Sequence, residues 1–169
     1  MNTRRMVVIA FLSVVLFVLQ VVLAYLPNIE LVTLLFIIYI LHLPLVDVIY
    51  ISFVFTTLQG LMYGFHTWTL MYYFIWSFYC FIAHLIKNKL NNWFKIALLS
   101  GVFGLIFGSL HSIPYFFMGG YNMGKAYIIS GLIFDLVHGI GNFILAVILF
   151  DPINHLFKKL IKKESVKNL

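Results

Sequence analysis

The chain predicts an all-α integral membrane protein with six transmembrane helices and cytoplasmic N- and C-termini, and three observations carry that expectation. Hydrophobic residues fill 63% of its 169 positions and charged ones 9%, a balance that soluble domains do not show. Its apolar runs are comparable to the roughly 20 helical residues that cross about 30 Å of hydrocarbon. Its eleven Lys and Arg residues are clustered: Arg4 and Arg5 precede the first run, Lys87, Lys89 and Lys95 share one polar break, Lys158, Lys159, Lys162, Lys163 and Lys167 form the tail, and Lys125 stands apart. Basic residues beside membrane spans stay on the cytoplasmic side, so the three clusters belong to one compartment and an even number of crossings separates them.

Residues 6–25 form the first span, too long for a signal h-region and followed by no small-residue cleavage pattern, so a retained helix is expected. The chain then reaches the outside near Leu26 and must return before Lys87, which takes an odd number of crossings. The stretch from Leu31 to Ile86 has room for three, at roughly 18 residues each. Pro44, which lacks a backbone donor, and the Gly60 to Gly64 region supply the breaks, giving helices at 31–43, 45–62 and 66–86. Two further spans, 96–112 and 127–150, flank an outer loop from Ser112 to Ala126 that contains Pro114, Gly119, Gly120 and Gly124. A basic cytoplasmic tail, 151–169, completes one transmembrane domain over 1–169, since no polar stretch is long enough to fold alone. The net charge of +6 is accounted for by inside-facing anchors and by anionic lipid of the bilayer, with no nucleic acid as partner. The single cysteine, Cys80, has no partner for an internal disulfide.

A carboxylate at the centre of a span costs on the order of 2.5 to 3.5 kcal/mol, so each one there marks a candidate site. Of the five acids, Asp151 and Glu164 fall at the cytoplasmic end, and Asp47 follows Pro44 as a helix-start acid that complements the macrodipole. Glu30 and Asp135 remain. Asp135, His138 and Asn142 follow the i, i+3, i+7 spacing of one helical face, and Asp135 lies about 12 Å along the axis from Tyr127, in the outer half of the bilayer. Asn28 joins Glu30 in the first outer loop. Gln59, Tyr63, His66 and Trp68 surround the second, Tyr72 and Trp76 follow a turn apart on the fourth helix, and His111 and Tyr115 flank the third loop. Any single Tyr or Trp here suits an interfacial aromatic belt, but a lipid-facing belt has no use for the Glu, Gln, Asn and His. Aromatic walls with a few orienting polar groups make a small-molecule site, and these residues are the candidate substrate-binding set. A polar seam that only joins helices is the alternative.

Gly101, Gly104 and Gly108, with Ser100 and Ser109, give the fifth helix a close-packing surface, and Ala10 with Ser13 forms a smaller patch on the first, suited to a partner protein. Enzyme chemistry lacks its parts. Ser109 and His111 point about 200° apart on one helix and form no hydrolytic pair. His66, His111 and His138 include no close pair for zinc, and no Gly-rich Lys-Ser/Thr phosphate loop occurs. The expectation is a non-enzyme without cofactor or metal.

Three segments carry a family resemblance: Leu26-Pro27-Asn28-Ile29-Glu30-Leu31-Val32-Thr33-Leu34-Leu35 after the first helix, Gln59-Gly60-Leu61-Met62-Tyr63-Gly64 near the second outer loop, and Phe134-Asp135-Leu136-Val137-His138-Gly139 in the last helix. In a small, six-helix, basic-ended chain they resemble the substrate-binding S components of energy-coupling factor (ECF) transporters, over nearly the whole length. The resemblance implies a subunit of an ABC-type importer in the bacterial plasma membrane. It would bind a vitamin or related micronutrient at the outer face and dock through its first helices on an ECF transmembrane subunit with two ATPase subunits. The Ala-x-x-x-Ala docking patch of that family is here Ala10 and Val14, with Ser13 as the small neighbour. Glu30 and Asp135 against Lys125 alone disfavour a folate or a nucleotide and favour a neutral or cationic ring compound, such as thiamin, pyridoxine, a pyrimidine precursor or a corrinoid. Two readings from other classes stay open: a structural membrane subunit or assembly factor, and an intramembrane hydrolase or metal-dependent enzyme.

Overall fold

The structure, a computed structural model, describes residues 2–26 and 29–166. Six helices hold nearly all of them: α1 (Thr3–Leu23), α2 (Val32–His42), α3 (Leu45–Tyr63), α4 (Thr67–Ile86), α5 (Trp93–His111) and α6 (Ile113–Val166), with a 3-10 turn at Lys87–Lys89. Five of the six are long and apolar enough to cross a membrane, and the chain is an all-α membrane protein. Local chemistry sets the ends. Asn2 accepts from the Arg5 N–H and Asn92 from the Lys95 N–H, each at 2.9 Å, satisfying amides that a first helical turn leaves unpaired. Pro44 caps α3, and Gly64 ends it at a φ of 94°, open to glycine and strained for other residues.

α2 departs from the expected full span at 31–43. It has eleven residues and rises about 16 Å, half the hydrocarbon thickness. Every side chain from Val32 to Ile40 is buried, and the other five helices all touch it. An apolar run without a polar face is what a helix covered on all sides requires. The connection between the two ends of the bundle is completed by its flanks. Glu30 sits beside His138 and His42 beside Asn154, about 24 Å further along α6.

Segment 112–126, expected as an outer loop, is helical. Ser112 keeps a helical backbone, and Pro114 falls in the first turn of α6, where its missing N–H forfeits no helical bond. The chain reverses instead at Gly119 and Gly120, the latter at a φ of 70°. From that tip two arms run antiparallel. Tyr115 stacks on Tyr127 with ring centroids 4.3 Å apart, and lower down Gly104 meets the α6 backbone so closely that an added Cβ would stand 2.8 Å from the Gly139 Cα. Small residues thus bring α5 and α6 into backbone contact. The last helix also outruns its expected limits of 127–150. It continues through Pro152, and Asn154 and Phe157 pack on His42 and Tyr39 of α2, so the start of the expected basic tail is built into the bundle. Lys167 lies outside the described residues.

Contacts assign the helix ends to two poles. Arg5 donates from Nε to Asp47 Oδ1 at 2.6 Å, tying the start of α1 to the α2–α3 turn. α3 and α4 are antiparallel, linked by Thr57 to Tyr73 at 2.9 Å and by Thr69 to the Gly64 carbonyl at 2.8 Å, which carries Lys87 and Lys89 to the same pole. Between the poles lies an aromatic core centred on fully buried Trp76, with Phe36, Phe103 and Phe107 at centroid distances of 5.2, 5.5 and 5.3 Å.

Candidate ligand cavity

At the pole opposite the basic clusters the helices leave an open cavity of about 390 Å³. Gln20 from α1, Glu30 ahead of α2, Gln59 from α3, and Asp135 and His138 from α6 supply its polar lining; Tyr63, Trp68, Tyr72, Phe107 and Phe134 supply the aromatic part. Among the described residues no Lys or Arg lines it.

Asp135 is buried and held at both oxygens by the end of α5. The Gly108 N–H donates to its Oδ1 at 2.7 Å, while the Ser109 N–H and hydroxyl donate to Oδ2 at 3.1 and 3.0 Å. A side chain at Gly108 would overlap this carboxylate, so glycine there is what admits it. Bonds to a charged group contribute about 1.5 to 3 kcal/mol each, enough together to hold a carboxylate away from water. One turn on, His138 meets Glu30, Nε2 to Oε1 at 3.1 Å, and its ring lies edge-on to Phe107 at 4.9 Å. The Gln59 amide donates to Gln20, and Trp68 packs T-shaped on Tyr72 at 5.2 Å. Donors and acceptors are therefore held fixed around apolar walls, the arrangement that orients a small ring-bearing molecule.

Seven of the expected site residues line the cavity: Glu30, Gln59, Tyr63, Trp68, Tyr72, Asp135 and His138. Five do not. Trp76 is one turn deeper than Tyr72, about 6 Å along the axis, and belongs to the core rather than the wall. His66 is exposed at the start of α4. His111 lies behind the wall, Nδ1 bonded to the Phe107 carbonyl at 2.8 Å and its ring against Tyr72. Tyr115 stacks on Tyr127 across the Gly119–Gly120 reversal. Asn142 is buried one turn below His138, and neither of its side-chain polar atoms has a hydrogen-bond partner among the described residues. Asn28 lies outside the described residues. The Ser109 hydroxyl bonds Asp135 and the His111 ring bonds the Phe107 carbonyl.

The lining also includes residues that the sequence did not single out. Gln20 had a visible signal, as the one amide in 6–25. Gly108 looked like part of a packing stripe. Phe107 carries no mark that separates it from the other phenylalanines of the chain, and Phe134 was marked only as the first residue of a resemblance segment. On α1, Ala10 and Val14 are exposed, but Ser13 is turned the other way. Its hydroxyl donates to the Ile9 carbonyl at 2.7 Å and the Ile51 carbonyl at 3.3 Å, so it belongs to the α1–α3 contact and not to an outward patch. Set against protein-family models, curated proteins and solved structures, the chain matches none of them.

Proposed function

We propose that the chain is the substrate-binding S component of an ECF-type importer in a bacterial plasma membrane, capturing a vitamin or related micronutrient for ATP-driven uptake. The observation that carries this reading is the cavity: aromatic walls, two carboxylates, two glutamines and a histidine, opening at the pole away from the basic clusters. If the basic pole faces the cytoplasm, as cationic flanks do, the cavity opens outside, where a nutrient arrives. Its volume of about 390 Å³ suits a compound of one or two rings better than a corrinoid. Ala10 and Val14 leave an apolar strip of α1 available to a transmembrane partner subunit.

The test is reconstitution. The purified chain should bind thiamin or pyridoxine alone, yet vesicles should accumulate the bound compound only once an ECF transmembrane subunit and two ATPases are added. Accumulation by the chain alone, or on a proton gradient, ends this reading in favour of an autonomous transporter. A second reading, a structural membrane subunit, is favoured by one observation: among the described residues every hydrogen bond of the Asp135 side chain comes from α5, as a seam between helices requires. That reading expects no binding of either compound.

A further inference from the structure

The two cavity carboxylates differ in what they leave for a ligand. A carboxylate offers about four acceptor positions. Asp135 uses both oxygens for three bonds, all from Gly108 and Ser109 of α5, and Gly108 has no side chain to hold the carboxylate off. Glu30 lines the same cavity and, among the described residues, has a single hydrogen-bond partner, His138 at Oε1. Glu30 also stands on the connection before α2, whereas Asp135 is fixed within α6. The walls around them are the π-faces and edges of Trp68, Tyr72 and Phe107, with no Lys or Arg in the lining among the described residues. Aromatic rings and an incompletely bonded carboxylate both favour a positive charge.

We propose that Glu30 is the carboxylate that recognises the ligand, a ring-bearing organic cation, with His138 holding Glu30 in place, and that Asp135 is a strut joining α6 to α5 that does not touch the ligand. This rests on the reading of the cavity as a small-molecule site. It divides between two residues the roles that their shared charge and depth suggest for both.

Binding of three probes to the purified full chain, by calorimetry, tests the division: thiamin, a fixed heteroaromatic cation; pyridoxine, an uncharged ring; and nicotinate, an anion. Wild type should bind thiamin at least tenfold tighter than nicotinate. Glu30→Gln should lose tenfold or more in thiamin affinity, less for pyridoxine, with an unchanged melting temperature. Asp135→Asn should melt lower but keep the preference for thiamin over nicotinate. Where that variant does not fold, Ser109→Ala, which removes one donor and leaves the charge, should show the same pattern more weakly. Wild-type thiamin affinity in Glu30→Gln overturns the assignment, as does an equal loss for thiamin and pyridoxine, or a preference erased in Asp135→Asn or Ser109→Ala at unchanged melting temperature. Tighter binding of nicotinate by wild type ends the assignment alone, whereas failure of all three probes to bind ends the small-molecule reading of the cavity as well.

Discussion

Both poles of the bundle bury carboxylates, and they hold them by different means. At the basic pole Asp47 meets Arg5, a cation whose side chain is 41% exposed. At the cavity pole Asp135 is held by amide and hydroxyl dipoles and Glu30 by a histidine, with no Lys or Arg in the lining among the described residues. A carboxylate cancelled by a cation has little field left for a third group. One held by amide and hydroxyl dipoles has no cation beside it, and a low-dielectric surrounding extends the reach of any charge it carries. A carboxylate closes a joint at one pole and lines a cavity at the other.

The contrast is broken most completely by sidedness. Single cysteines at Asn91 and Asn122, one near each pole, should react with an impermeant thiol reagent from opposite sides of the membrane, Asn122 from outside. Reaction of both from one side removes the polar division altogether. Next in size is Asp135→Ala, which strips three donors of their acceptor and should destabilise the fold by about 3 to 5 kcal/mol, measured by denaturation in detergent. Smallest is Arg5→Gln at the other pole. Partial exposure screens that ion pair, so the loss of melting temperature should be well below that of Asp135→Ala and should shrink further as salt is added. Equal, salt-independent losses for the two variants would mean that the poles hold their carboxylates in the same way.

Helix number and class were legible because they rest on composition, on cationic clusters and on breakers with one local outcome, such as Pro44 and the positive φ of Gly64. Features that depend on which neighbour a residue meets were not. The expected loop at 112–126 was inferred from Pro114 and three glycines, yet a proline in a first turn is harmless, and two of those glycines confine the reversal to a single tip. Trp76 shared a depth range with the cavity residues, and only the packing of Phe36, Phe103 and Phe107 around it reveals a core position. The stripe Asp135, His138, Asn142 was correctly placed on one buried face by periodicity alone. Periodicity could not indicate that Asp135 turns to α5 while His138 turns to Glu30, because that choice is made by an absent side chain at Gly108.

The shortness of α2 bears on what keeps it in the membrane. A segment of eleven helical residues is about half of what the bilayer needs, and its buried surface is completed by five other helices and not by lipid. A segment that short does not satisfy the bilayer by itself. Its place depends on the turn at Pro44 that joins it to α3 and on α6 packed along it. The contacts of Asn154 and Phe157 on His42 and Tyr39 therefore help to hold a helix that lipid alone would not retain.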